Sequence, residues 1–173
     1  DAPGLSISEK MRNQIRGLNQ AVNNSEDGIS LIQTAEGNMN EMHSILQRMG
    51  ELATKAANDV NETEDRTTIA DEMTQLNEEL AGIASKAKFN NKPLQSFTGY
   101  LQVGANAGEN MAITVKVKIA LSTTDVSSHG KASATMSAIT VAIKSVSSQR
   151  AKLGAVQNRL EYTVNNLENY SEN

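Results

Sequence analysis

From Met11 onward the apolar residues step by four and three through Ile15, Leu18 and Val22, take Ser25 as a polar member, and continue through Ile29 and Ile32. This stepping places one stripe on a helix and sustains a heptad seam. One short three-residue step leads to Ala35, and the seam resumes as Met39, Met42, Leu46, Met49, Ala53, Ala56 and Val60 on a slightly rotated face. Upstream, Ser6-Ile7-Ser8-Glu9 matches a capping box, so the first helix is expected over about residues 6–58. A helix of about 50 residues is about 75 Å long, a rod rather than a ball. Gly17, Gly28, Gly37 and Gly50 lie within it, each costing up to about 1 kcal/mol relative to Ala, so neighbouring helices must hold it together.

A second seam runs through Ile69, Met73, Leu76, Leu80, Ile83 and Ala87, with Asn61 as its expected cap and Glu62, Glu64 and Asp65 facing the positive end of the helix dipole. Phe89-Asn90-Asn91-Lys92-Pro93 stops this helix, expected over about residues 62–87 and antiparallel to the first. The period then changes to two. Met111, Ile113, Val115, Val117 and Ile119 alternate with polar or small residues, and Leu101-Gln102-Val103 can pair with them across Gly104-Ala105-Asn106-Ala107-Gly108. A β-hairpin region over about 100–120 and a Ser/Thr-rich linker over about 121–131 follow. The last segment steps by four and three through Ala132, Met136, Ile139, Ile143, Val146, Arg150, Leu153, Gln157, Leu160, Val164 and Leu167, predicting a helix over about 132–168. Arg150 and Gln157 fall on this seam, where polar residues fix register and partner choice. The expected fold is mainly α: an elongated antiparallel helical bundle or coiled-coil rod of three helices with a small β-hairpin region, forming a single rod-like domain.

Composition narrows the chemistry. Only five residues carry aromatic rings other than histidine (Phe89, Phe97, Tyr100, Tyr162 and Tyr170), so the core must be aliphatic and Met-filled. The absence of Cys removes disulfides, thiolate metal sites and cysteine nucleophiles together. Sixteen Lys and Arg against 20 Asp and Glu give a net charge of −4, and the cations are scattered along the sequence, which disfavours a nucleic-acid partner. No apolar run approaches the roughly 20 residues that cross a bilayer, so no membrane insertion is expected. His43 and His129 are the only histidines and neither sits in a Glu-x-x-His or His-x-x-x-His spacing. The paired carboxylates, such as Glu78 and Glu79, fall on polar helix faces, and Gly104 to Gly108 lacks the Gly-Lys-Ser/Thr ending of a phosphate loop. No catalytic constellation, metal or cofactor is expected, and a long helical object with specific seams suits assembly. The chain opens Asp1-Ala2-Pro3 and reads as a trimmed piece of something longer.

Two stretches are recognisable as they stand. Gly4-Leu5-Ser6-Ile7-Ser8-Glu9-Lys10-Met11-Arg12, continuing through Asn24-Ser25-Glu26-Asp27-Gly28-Ile29-Ser30-Leu31-Ile32-Gln33-Thr34-Ala35-Glu36-Gly37, resembles the N-terminal conserved region of bacterial flagellin. Val146-Ser147-Ser148-Gln149-Arg150-Ala151-Lys152-Leu153-Gly154-Ala155-Val156-Gln157-Asn158-Arg159-Leu160, with Thr163-Val164-Asn165-Asn166-Leu167, is similar to the C-terminal conserved region of the same family. The resemblance covers about residues 4–119 and 139–168. It implies a structural subunit of the extracellular flagellar filament, secreted through the flagellar export apparatus and serving motility, with other flagellin subunits as partners. It also implies that this piece, without the terminal segments that drive polymerisation in the family, stays monomeric.

The family's second activity, as a ligand of vertebrate Toll-like receptor 5, is carried over residue by residue. Gln47-Arg48-Met49-Gly50-Glu51-Leu52 resembles the receptor-contacting stretch, and Ile69-Ala70-Asp71-Glu72-Met73 aligns by its distance to Phe89-Asn90. The resemblance thus implies a receptor-binding set of Gln47, Arg48, Glu51, Leu52, Ile69, Glu72 and Met73, with Leu52 as an exposed apolar anchor beside the Arg48 guanidinium, whereas the residues taken without it favour a solvated Arg48 and a Leu52 packed beside the seam. Gly50 stands where the family often has Arg, and Pro3 where it often has Ala. A hook-filament junction protein shares the helical ends but usually lacks the Gln47-Arg48 and Ser148-Gln149-Arg150 matches. Length and helicity alone also admit a helical-bundle metal carrier, against which the missing His and Glu ligand spacing counts.

Overall fold

The computed structural model describes residues 2–172. Among them, three helices carry most of the chain: α1 (Ala2–Ala56), α2 (Thr63–Lys86) and α3 (His129–Glu172). Two antiparallel strand pairs lie between α2 and α3, β1 (Lys88–Phe89) with β2 (Lys92–Pro93) and β3 (Phe97–Gln102) with β4 (Asn110–Val115). The fold is therefore mainly α with a small β region. The chain packs as two units: one built from the residues up to Gln33, Phe97–Thr114 and the residues from Lys152, the other from Thr34–Ser96 and Val115–Ala151.

In the first unit, the opening of α1 differs from expectation. The helix already includes Ser6, so Ser6-Ile7-Ser8-Glu9 is interior helix rather than a cap. Pro3 is compatible with this start, because a first-turn residue needs no amide hydrogen. Met11 and Ile15, expected on a buried seam, are 60% and 40% exposed, and burial begins only near Gly17. Where burial has begun, the Ser171 hydroxyl of α3 donates to Asn19 Oδ1 at 3.1 Å.

Below that point the unit closes tightly. Ser25 is fully buried and its hydroxyl donates to the Ala21 carbonyl at 2.8 Å, so the polar seam member is satisfied within its own helix. The β3–β4 hairpin lies against α1, where Asn24 Nδ2 donates to the Gln102 carbonyl at 3.1 Å. Gly28 is the close approach: a Cβ there would stand 2.3 Å from Leu101 Cδ1 and 3.1 Å from Leu160 Cδ1. Gly28→Leu is therefore expected to destabilise the unit by about 1–3 kcal/mol through overpacking. Gly37→Ala, which meets nothing within 4 Å, is expected to stabilise α1 by about 0.5–1 kcal/mol. Thermal denaturation of both variants checks the pair, and equal effects at the two positions would contradict it. The hairpin turns through Gly108, whose φ of 86° suits glycine.

The second unit holds the seam as expected. Ala35, Met39, Met42, Leu46, Met49, Ala53 and Ala56 of α1 are all buried; only Val60 falls off it, because α1 ends at Ala56. Ile69, Met73, Leu80 and Ala84 face them from α2, and Ile139, Ala142 and Val146 from α3. Helices α1 and α2 run antiparallel, since one groove brings Lys55 near Asp65 and another brings Asn38 near Lys86. Asn61 does not cap α2. Its amide instead donates to the carbonyls of Lys55 (2.6 Å) and Asn58 (2.5 Å), while Glu62 caps α2 and its amide donates to Asp65 Oδ2 at 2.9 Å.

The Asn90-Asn91 stop is a two-residue hairpin, with Lys88 opposite Pro93 and Phe89 opposite Lys92. Both asparagines have positive φ (48° and 63°), the geometry of a type I′ turn, which Asn tolerates. Helix α3 starts earlier than expected, at His129, because Ser128 Oγ accepts the Lys131 amide at 3.2 Å and caps it. Just before it, the Ser127 hydroxyl (2.7 Å) and amide (3.0 Å) donate to Asp125, which holds that carboxyl below its ordinary pKa.

Helix α3 corrects the register expectation for Arg150 and Gln157. Its fully buried positions recur every seven residues, at Ala132, Ile139, Val146, Leu153, Leu160 and Leu167. The second line of the seam falls one residue earlier than read, at Thr135 and Ala142 and then the half-buried Gln149, Val156 and Thr163. Arg150 is exposed, and Gln157 is half-buried with its amide donating to Glu161 at 3.3 Å. Neither is a buried polar seam residue.

Candidate functional site

The surface where α1 and α2 meet carries the densest polar chemistry among the residues singled out above. Arg48 and Leu52 lie one turn apart on α1, and Ile69, Glu72 and Met73 share the facing side of α2. The seven expected receptor residues divide by burial. Leu52 (4% exposed), Ile69 (4%) and Met73 (1%) are packed between the helices, so Leu52 is not the exposed anchor expected of it. The seam position Ala53 and the apposed Ile69 draw Leu52 inward, since each fully buried Leu gains about 1.5–3 kcal/mol over an exposed one. Gln47, Arg48 and Glu51 are exposed and Glu72 is half-buried. Arg48, Glu51 and Glu72 therefore share one groove with the buried Leu52 and Ile69.

Arg48 organises the surface. Its Nε donates to Glu72 Oε1 at 3.1 Å and its Nη2 to Glu72 Oε2 at 3.4 Å, a two-pronged pair that joins α1 to α2. Its Nη1 donates to Glu51 Oε2 at 3.2 Å, within α1. Glu72 first, and Glu51 after it, raise the guanidinium's pKa further, so Arg48 is a fixed cation with half its side chain in solvent. An exposed pair of this kind adds little to stability, and its consequence is orientation. A groove of about 340 Å³ opens beside it, walled by Lys55, Asp65 and Thr68 as well as the residues above. Gln47 faces the other side of α1, lining a groove with Gly50, Ile139 and Ile143, and Glu51 borders both. The surface thus offers a positioned cation flanked by carboxylates, suited to docking a polar protein surface and holding no nucleophile.

Two further residues complete this end of the unit, and sequence pattern had not singled them out for it. Arg66 is largely buried; its Nε donates to the Ala56 carbonyl at 3.1 Å and its Nη2 bonds Asp59 at 3.1 Å. His129 Nδ1 lies 2.7 Å from the Ala57 carbonyl. Together with Asn61 they satisfy the free carbonyls at the end of α1, the negative end of its dipole. The signal in the sequence is only that a cation and an imidazole follow a helix end at some distance. His43 is half-buried, and its Nδ1 is buried without a hydrogen-bond partner among the described residues. Among the described residues, no group of three or more His, Cys, Asp or Glu could hold a metal ion, and no helix is long and apolar enough to cross a membrane.

Comparison with known proteins gives a consistent result. Residues 1–100 match the family model described as the bacterial flagellin N-terminal helical region, and residues 136–173 match the bacterial flagellin C-terminal helical region. A flagellin of Halalkalibacterium halodurans is 49% identical over 182 residues, covering 100% of this chain and 67% of that protein. A flagellin of Bacillus subtilis is 41% identical over 217 residues, covering 100% of this chain and 70% of that protein. Among solved structures, the crystal structure of Bacillus cereus flagellin superposes with a TM-score of 0.72 at 25% identity, covering 84% of this chain and 88% of that one.

Proposed function

Because this chain belongs to the bacterial flagellin family, we propose that the α1–α2 surface centred on Arg48 is a docking site for host Toll-like receptor 5. The family membership itself fixes the coarser function. The protein is a structural subunit of the bacterial flagellar filament, an extracellular assembly of flagellin copies that serves motility, and it is not an enzyme. Delivery through the flagellar export apparatus belongs to the same proposal.

The observation that carries the receptor reading is the Arg48–Glu72 pair, which fixes a half-exposed guanidinium across two helices above a buried floor. Central, oriented Arg residues ringed by polar groups are the kind of position that dominates protein interfaces. Leu52, Ile69 and Met73 act in this reading as the floor that sets the height and tilt of Arg48 and Glu72, with Gln47 and Glu51 at the rim.

Gly50 supplies a test that adds to the surface rather than removing from it. A Cβ at this position meets only Ile139 Cγ2, at 3.7 Å, an ordinary contact at the border of an open groove. Gly50→Arg is expected to preserve helicity and to raise affinity for the receptor ectodomain about tenfold, the worth of about one added charged contact. Surface plasmon resonance against the immobilised ectodomain checks both proteins. Binding by neither the folded parent nor the variant would contradict the reading.

A further inference from the structure

Four exposed lysines gather at the β1–β2 end of the second unit. Lys88 and Lys92 flank the Asn90-Asn91 turn. The Val117 amide donates to the Leu94 carbonyl at 3.0 Å, which brings the segment carrying Lys116 and Lys118 beside β2. There the two lysines alternate with the buried Val115 and Val117, so both point away from the core. None of the four takes part in an ion pair among the described residues. Residues 81–96 and 115–124 of this unit contain no Asp or Glu, so neither segment supplies a counter-charge. Lys86, between them and α2, instead lines the α1–α2 groove together with Glu41, Glu78 and Glu79. The register of the hairpin spreads the charge further. Lys88 is opposite Pro93 and Phe89 opposite Lys92, and successive residues of a strand point to opposite faces, so Lys88 and Lys92 project from the two sides of the hairpin.

We propose that this end of the unassembled chain binds a flexible sulfated polysaccharide. The two-sided placement of the lysines carries the choice of partner. A linear chain of sugars can pass around a narrow hairpin, whose strands stand only about 4.8 Å apart, and meet cations on both sides. A flat bilayer can meet only one side, and none of the exposed large apolar side chains falls in residues 81–96 or 115–124 to enter it. Single-stranded nucleic acid draws on exposed rings for stacking, and the only ring in these segments, Phe89, is half-buried. The net charge of −4 does not prevent such binding, because carboxylates more than about 8–10 Å away are largely screened near physiological salt. The inference does not rest on the receptor reading, since Arg48 and Glu72 take no part in it, and it requires no contact between copies.

Fluorescence anisotropy of a labelled heparin oligosaccharide, titrated with the whole chain, tests it. The parent is expected to bind saturably at about 0.05 M salt and about 50-fold more weakly at about 0.2 M, the dependence of roughly four ionic contacts on a linear polyanion. Lys88→Gln/Lys92→Gln/Lys116→Gln/Lys118→Gln is expected to weaken binding by at least about tenfold. Lys10→Gln/Lys144→Gln/Lys152→Gln/Arg159→Gln, which removes four exposed cations elsewhere, is expected to bind like the parent. Each variant loses four positive charges, so net charge does not account for a difference between them. Lys88→Gln and Lys92→Gln taken singly are each expected to weaken binding about threefold. A loss confined to one of the two would overturn the two-sided contact and the proposal with it. Circular dichroism is expected to show equal helicity throughout, since every substituted side chain is exposed. A parent that does not bind heparin, or equal losses in the two fourfold variants, would overturn the proposal. So would tighter binding to phosphatidylserine vesicles or to a single-stranded oligonucleotide than to heparin, which would assign the lysines to a membrane or to nucleic acid. Receptor binding by the fourfold lysine variant is expected to be unchanged, so failure here leaves the receptor reading to its own test.

Discussion

Arg48→Glu is expected to reduce binding to the Toll-like receptor 5 ectodomain by at least about 30-fold, the scale of losing a central interface residue. The substitution removes the cation that bonds Glu72 at 3.1 Å and Glu51 at 3.2 Å, and sets a third carboxylate beside these two. Helix content and thermal stability are expected to change little, because the Arg48 pairs are exposed and such pairs contribute little to folding. Circular dichroism beside the binding assay separates the two effects. Equal binding by parent and variant would contradict the assignment of Arg48, and a collapse in helicity would show that the pair supports the fold instead. Leu52 is a poor choice for the same purpose. It is buried, so truncating it would confound receptor contact with a packing defect.

Leu46→Ala carries the largest expected effect on stability. Leu46 is fully buried, between Met42 and Met49 on the α1 seam. The second unit has no large aromatic side chain at this level to close around a cavity, and Met42 and Met49 fill space only by changing rotamer. A cost of about 2–5 kcal/mol is expected, a large share of the roughly 5–15 kcal/mol that holds a domain folded. Thermal unfolding followed by circular dichroism checks it, with a fall in Tm of roughly 5–20 °C expected for a chain of this size. A loss below about 1 kcal/mol would mean that the seam is loosely packed and that the heptad does not set the core.

The seam from Ala35 to Ala56 was legible because each of its steps puts a large or small apolar residue on one face, and helix partners then have only one stripe to bury. Helix α3 shows where that reasoning ends. Met136 and Ile143 are larger and more apolar than Thr135 and Ala142, so hydrophobicity alone prefers them, but Thr135 and Ala142 are buried while Met136 and Ile143 stay half-buried beside a groove shared with α1. One wrong step moved Arg150 and Gln157 onto a seam they do not occupy. In the opening turns of α1, Met11 and Ile15 announce a helix correctly but cannot announce a partner.

The candidate surface was legible in part for a related reason. Ile69 and Met73 already lie on the α2 seam, so periodicity marks them as buried, whereas Leu52 sits next to the seam residue Ala53 and its burial comes from the apposed helix. The bidentate Arg48–Glu72 pair spans 24 residues of sequence and follows from the antiparallel register of α1 and α2, which no local pattern specifies.

The most direct test of the proposed receptor surface is photo-crosslinking from Thr68, an exposed wall of the Arg48 groove that is not itself among the proposed contacts. A photo-reactive residue at position 68 is expected to crosslink to the Toll-like receptor 5 ectodomain, and the same residue at the exposed Lys144 position of α3 is expected not to. Crosslinking from position 144 and none from position 68 would place the receptor on another face and contradict the account.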